Sequence, residues 1–262
     1  MSKPDLHVVS FSGGKDSTAM LLRMKELGMK IDIILYCDTT VEFPAMYDHV
    51  KKVEAYVGIP IKVLRSDKDF EYYMLHHKVN ARNGEIKQGY SFPDARNRWC
   101  TRALKTDLVK RYLRNLKKDY NVIEYLGLAA DESYRLERAN NQRENVRYPL
   151  VEWEWTEADA LQYCYNKGFD FGGLYELFSR VSCWCCPLQP LSELRTLRKE
   201  FPELWNKLLN WQTKTRRTYK PTYTVQELDI RFQFEEEKLA RGESITNRQF
   251  YTELKERLNK EA

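Results

Sequence analysis

Three strand-like apolar runs alternate with amphipathic segments over residues 6–65, and that alternation limits the fold more than any other feature. The runs are Leu6–Phe11, "IDIILYC" at 31–37 and "IKVLR" at 61–65. Between them, Asp16–Leu27 carries Met20, Leu21, Met24 and Leu27 on one helical face. "FPAMYDHVKKVEAYVG" at 43–58 is a second helix, and Gly28 and Gly58 stop the two. Strands that alternate with helices predict a parallel sheet with helices on both faces. "NVIEYLGLAA" at 121–130 adds a fourth strand and "RYPLVEW" at 147–153 a short fifth. The expected fold is α/β: a doubly wound, mostly parallel five-stranded sheet over residues 1–190, with a helical C-terminal extension over 191–262.

Other segments are read more simply. Residues 67–97 carry turn residues and little apolar period, which predicts a loop-rich stretch. "TRALKTDLVKRYLRNLKK" at 101–118 is a basic amphipathic helix. Thr156 opens a helix as N-cap, with Asp159 three residues on. Residues 191–217 are helical, with Pro202 marking a break or a new first turn. "DIRFQFEEEKLARGE" and "YTELKERLNK" are amphipathic helices that pack on the domain or on a second copy, a homodimer. The acidic run Glu235–Glu237 reads as a solvated face.

Composition narrows the class. Charged residues make up 31% and hydrophobic residues 42%, as in a globular protein. No apolar run approaches the roughly 18 residues of a membrane span. "MSKPDLHVV" lacks the form of a signal peptide, so a cytoplasmic location is expected. The net charge of +5 permits a nucleic-acid partner and equally a phosphorylated small molecule. Of six cysteines, three fall in "CWCC" at 183–186, which points to metal or redox chemistry rather than a disulfide framework.

"SFSGGKDSTAM" at 10–20 joins the first strand to the first helix. The helix start offers unpaired N–H groups and a partial positive charge. Gly13 and Gly14 let the backbone approach an anion. Ser10, Ser12 and Ser17 carry hydroxyls, Lys15 supplies a point charge, and Asp16 caps the helix or helps hold Mg²⁺. The spacing fits neither the Walker pattern nor G-x-G-x-x-G. The stretch resembles the S-G-G-x-D-S loop of the PP-loop ATP pyrophosphatases, in the adenine nucleotide α-hydrolase group. That likeness implies a cradle for the pyrophosphate of ATP, or for the phosphates of an adenylyl sulfate.

Further motifs extend the resemblance, over about residues 6–190, to the phosphoadenylyl-sulfate (PAPS) reductases. "YCDTTVEFPAMYDHV" at 36–50 is similar to D-T-G-x-x-F-P-E-T, with Thr40 in place of glycine, and implies that Asp38 and Thr39 contact nucleotide. An ordinary helix cap is the plainer reading of Asp38. "RWCTRALK" at 98–105 looks closest to the iron–sulfur branch that includes DndC, the DNA phosphorothioation protein. It makes Arg102 and Lys105 candidates for substrate phosphate or sulfate, against the alternative of a solvated basic face. "GLAADESYR" at 127–135 is similar to G-x-R-x-D-E-S-x-x-R, with Ala129 in place of the first arginine. Asp131, Glu132, Ser133 and Arg135 or Arg138 are then candidates for the substrate mouth. In "YPLVEWEWTEADALQYC", Trp155 and Leu161 read as core.

"SRVSCWCCPLQ" resembles the G-C-x-x-C-P element of iron–sulfur members. Cys183 and Cys186 have the C-x-x-C spacing, the resemblance implies Cys100 as a third ligand, and the extra cysteine, Cys185, is the fourth in the closed-cluster reading. A closed [4Fe–4S] cluster, an open one with a free iron, a Zn²⁺ site and free thiols are the alternatives. Cys37 and Cys164 read as buried small hydrophobes.

Three functions follow. The first is ATP-dependent adenylation with pyrophosphate release, coupled to sulfur transfer onto a nucleic acid or small molecule, with a separate sulfur donor or reductant protein as partner. Lys15, Asp16, Arg102, Lys105, Asp131 and Arg135 are its candidate catalytic residues. The second is thiol-dependent reduction of PAPS or adenylyl sulfate to sulfite. Such reductases use a C-terminal cysteine, and this sequence has none after Cys186. The third is a nucleotide-binding subunit without turnover. "KTRRTYKPTYT" at 214–224 interleaves cations with Tyr219 and Tyr223, a pattern for single-stranded nucleic acid or an exposed interhelical loop.

Overall fold

The computed structural model describes residues 3–80, 84–136, 145–181 and 183–261. They form two compact units, Met1–Phe70 with Trp99–Cys183, and Glu71–Arg98 with Trp184–Ala262. In chain order the strands are β1 (Asp5–Ser10), β2 (Ile33–Asp38), β3 (Ile61–Arg65), β4 (Lys78–Asn80), β5 (Ile86–Gln88), β6 (Asn121–Leu126) and β7 (Val146–Arg147).

The first unit is the expected α/β layer structure. Its sheet has the order β3-β2-β1-β6-β7, and every pairing is parallel. β1 is central: Val8 lies opposite Ile33 on one side and Glu124 on the other. Val8, Val9, Ile34 and Leu35 are buried, as inner strands covered on both faces must be. Helix α1 (Lys15–Glu26) buries Ala19, Met20, Leu21, Leu22 and Met24, and α2 (Pro44–Val57) buries Met46, Val50, Val53 and Val57. Gly58 closes α2 at φ 70°, where a side chain would be strained. Leu27, expected on the apolar face of α1, lies past the helix end and is exposed.

Three elements differ from expectation. The fifth strand is only Val146–Arg147, because Pro149 opens a helical turn over Pro149–Glu152. The stretch read as loop-rich contains a helix, Phe70–Leu75, and the antiparallel hairpin β4–β5. These elements are too short for a periodic signal to stand out. The basic helix is interrupted: Arg102–Thr106 is π-helical, and the α-helix resumes over Asp107–Leu116. Trp155 and Leu161 are half-buried rather than core.

The second unit holds helices Leu191–Glu200, Pro202–Lys214, Val225–Ala240 and Arg248–Glu261. Pro202 starts its helix at the first turn. Glu235 is buried, not solvated, because Arg195 and Arg231 both donate to its carboxylate. Glu236 pairs with Arg198 and Glu237 with Arg257 on the solvated face, so only the first member of the run departs from expectation. The basic-aromatic stretch lies between two helices and makes internal hydrogen bonds. Tyr219 is buried and donates its hydroxyl to the Cys186 carbonyl at 3.0 Å. Lys220 Nζ donates to the carbonyls of Pro187 and Gln189, Arg216 to that of Gln88, and Tyr223 accepts from Arg231. Among the described residues no helix is long and apolar enough to cross a membrane.

One buried titrating group tests the packing of α1 on α2. His49 is 4% exposed, its Nε2 is 3.0 Å from Thr18 Oγ1, and Phe169 and Phe171 flank its ring. Burial, with Lys52 adding, pushes its pKa down to about 4. The unfolded chain therefore binds a proton that the folded one refuses, and stability falls as pH drops from about 6.5 toward 4. Wild type is expected to lose up to about 3 kcal/mol more than His49→Gln between pH 7 and pH 4 in urea unfolding.

Candidate functional site

The carboxyl ends of β1 and β2 lie side by side, where α/β sheets present ligands. At the end of β1 the chain turns through Gly13 at φ 85°, and α1 begins at Lys15 with Gly14 as its extended N-cap. The loop is knitted by its serines: Ser12 N–H donates to Ser17 Oγ at 3.1 Å, and the two hydroxyls are 2.9 Å apart. Ser17 Oγ also lies 3.1 Å from the Gly14 carbonyl, to which it donates. Ser10 turns away and donates to Glu124 on β6 at 2.9 Å. Gly127 fixes how closely the start of α1 approaches the end of β6. A Cβ there would sit 2.7 Å from Ser17 Cα.

Lys15 is buried, and its ammonium is held by carboxylates from two helices. Nζ bonds Glu157, the first residue of helix Glu157–Asn166, and lies 3.5 Å from Asp16 Oδ1. Its backbone N–H donates to the Tyr175 hydroxyl at 2.9 Å. Burial pushes the Asp16 carboxyl up to about 6, against the pull of Lys15 and with Glu157 adding to the rise. Asp16 Oδ1 has no hydrogen-bond partner. A carboxylate with a vacant lone pair beside a phosphate-type loop fits Mg²⁺, which takes one or two carboxylates and completes its shell from phosphates and water. Glu157 follows the Thr156 cap but carries no assigned role, and Tyr175 lies outside the motifs; only the fold brings them to Lys15.

At the end of β2, Asp38 accepts from Thr40 N–H at 2.8 Å and from the Tyr47 hydroxyl at 3.1 Å. Thr40, which stands where the resembling motif has glycine, adopts φ 67°, a conformation glycine takes without strain. Thr39 donates to Glu42 Oε1 at 2.7 Å and lies 3.5 Å from Cys183 Sγ. Lys105 Nζ reaches Glu42 at 3.8 Å. Burial works to lower the Lys105 ammonium, but Cys183, Glu42, Cys37 and Cys100 outweigh it, and its pKa is raised. Glu42 joins Thr39, Lys105 and Cys183, and no motif signalled it. Lys105 sits in the π-helical turn, a geometry that recurs at functional sites.

The remaining predicted residues scatter. Arg102 is exposed. Asp131 accepts from Glu157 N–H at 3.1 Å and so helps place the partner of Lys15. Arg135 pairs with Glu132, and Arg138 lies outside the described residues. Cys164 is buried and Cys37 only half-buried. Cys100 and Cys183 belong to the first unit, Cys185 and Cys186 to the second. Among the described residues no three or more His, Cys, Asp or Glu side chains are grouped to hold a metal ion.

The model of the phosphoadenosine phosphosulfate reductase domain matches residues 6–189, and the chain belongs to that family. Two uncharacterized proteins of Methanocaldococcus jannaschii are 29% and 28% identical to it over 78% and 76% of this chain. An uncharacterized nin region protein of Escherichia phage lambda is 26% identical over 63%. This chain spans 40%, 45% and 61% of those three relatives. A PAPS reductase from Candida auris, solved as a phosphate complex, aligns with a TM-score of 0.48 and 16% identity, covering 68% of this chain and 81% of that one.

Gly127→Ala tests the junction. Its methyl group meets backbone rather than a side chain that can move aside, so a loss of about 1–3 kcal/mol is expected in urea unfolding. An unchanged midpoint would mean that α1 is free to shift.

Proposed function

We propose that the loop at 10–17 holds the polyanionic tail of an adenine nucleotide, with adenosine at Asp38 and Thr39, and that the chain breaks a bond next to the α-phosphate. The observation that carries this reading is the buried Lys15 at a helix start, beside a glycine turn, in a chain of this family. Donors preset at a leaving group are each worth roughly 3 kcal/mol. In the reading we favour the nucleotide is ATP. An acceptor oxygen attacks the α-phosphorus, the bond to the bridging oxygen breaks, and pyrophosphate leaves with the electron pair. The first-turn N–H groups of α1, the Ser12 and Ser17 hydroxyls and Lys15 stabilise that charge. Mg²⁺ bound at Asp16 would neutralise the tail further. Hydrosulfide from a separate donor protein then displaces AMP from the activated acceptor. The likeness of residues 98–105 to the DndC branch supports sulfur transfer as the second half.

A second reading has a specific observation behind it: Cys183 lies beside Thr39 and Glu42 at the end of β2. There the substrate is PAPS and a thiol pair reduces it, releasing sulfite and adenosine bisphosphate.

Incubation with ATP and acceptor extracts, and with PAPS and dithiol, separates the readings by the product. Pyrophosphate marks the first, sulfite the second, and a nucleotide bound without turnover a delivery subunit. Lys15→Met keeps the packing and removes the charge. It is expected to weaken nucleotide binding at least tenfold by calorimetry. Glu157→Gln removes the anion that competes for Lys15 and is expected to tighten binding several-fold, since buried charge pairs couple by 1 kcal/mol or more. Equal affinities in all three proteins would sink the cradle.

A further inference from the structure

Among the described residues few buried side-chain polar atoms lack a hydrogen-bond partner, and two of them flank the glycine turn: Asp16 Oδ1 and the Tyr36 hydroxyl. Native proteins keep such atoms rarely, and each needs an explanation. Tyr36 lies on β2, is 3% exposed and packs beside Phe11. A Cβ built on Gly13 would lie 3.7 Å from Tyr36 Cε2 and 3.3 Å from Met46 Cε. Cε2 is bonded to the carbon that bears the hydroxyl, so the phenol end of the ring sits directly under the turn. Gly13 carries no side chain to fill the space between the loop and the buried ring. Any side chain there would close the gap between loop and ring.

We infer that the Tyr36 hydroxyl is a ligand donor: it bonds an anionic oxygen of the polyphosphate or phosphosulfate tail seated on the 10–17 loop. This rests on the nucleotide reading above and adds a contact from β2 that neither the motifs nor the family match assigns. The hydroxyl is suited to the role. Burial, with Glu42 and Asp38 adding, pushes its pKa up, so it stays protonated and donates. Its neighbours explain why it waits unpaired. Asp38 is already satisfied by Thr40 and Tyr47, and Glu42 by Thr39. A neutral donor also discriminates usefully, because it favours an oxyanion without adding charge beside Lys15.

Tyr36→Phe tests the inference with two readouts that a packing role would move together. In urea unfolding without ligand, the variant is expected to be as stable as wild type or more so, since an unpaired buried hydroxyl stabilises nothing. In calorimetry with inorganic pyrophosphate and with ATP, its Kd is expected to rise roughly tenfold, the worth of a hydrogen bond to a charged group. Affinity for both probes equal to wild type would overturn the inference, and so would a lowered urea midpoint, which would mean the hydroxyl is already satisfied internally. Lys15→Met is measured alongside. If it loses affinity and Tyr36→Phe does not, the cradle stands and only the Tyr36 contact falls. If wild type binds neither probe, both fall.

Discussion

The close approach of α1 to the end of β6 governs the rest of the first unit. β1 is held between β2 and β6 by parallel pairing, so both neighbouring strand ends flank the point where the chain leaves the sheet. Only glycine at 127 lets the first turn of α1 come that near. The helix start is thereby held at the carboxyl end of the sheet, where its first N–H, that of Lys15, donates to the Tyr175 hydroxyl. Every residue assigned to nucleotide lies within a few positions of that edge.

Charge follows from the same geometry. A lysine in the first turn of a helix, pulled inward by packing, cannot stay unpaired. Glu157 and Asp16 answer it, one from another helix and one from the next residue. The unusual carboxyl of Asp16 follows as well: desolvation, with the like charge of Glu157 adding, wins over the neighbouring ammonium. A polyphosphate would substitute for Glu157, exchanging one anion for another at a preset cation. The loop itself is organised by its own hydrogen bonds, Ser12 N–H to Ser17 and the Ser17 hydroxyl to the Gly14 carbonyl.

Much of this was legible in the sequence. Strand and helix periods in the first sixty-five residues, the Gly58 stop and the Thr156–Asp159 capping box all appear where local chemistry put them. Local rules failed where long-range contact decided the outcome. Glu235–Glu237 reads as surface until Arg195, Arg198 and Arg257 reach it from other helices. Tyr219 and Lys220 read as part of a binding stretch or an exposed loop, and neither pattern shows that the carbonyls of residues 186, 187 and 189 take them. Glu42 and Glu157 stand at unassigned positions of their motif stretches and Tyr175 outside any, since nothing in a single carboxylate or phenol announces which ammonium or amide it will meet. The hairpin β4–β5 was missed because three-residue strands leave no readable alternation.

The departures from local preference in the first unit are not spread evenly. Thr40, β-branched, holds a left-handed backbone that costs roughly 1–3 kcal/mol. Its hydroxyl accepts from Phe70 N–H at 3.1 Å and its N–H bonds Asp38, which offset part of that. Gly13 turns left-handed a few ångströms from an unpaired phenol, Asp16 keeps an unpaired oxygen, and Lys15 is buried in the first turn. The helix after Cys100 widens to a π turn at Lys105. Each is unfavourable alone, and a sequence under no other demand would relieve them by a glycine at 40, a phenylalanine at 36 or a hydrophobe at 15. They concentrate at the adjoining ends of β1 and β2, the position where an α/β sheet receives its ligand and where departures from local preference are expected to gather.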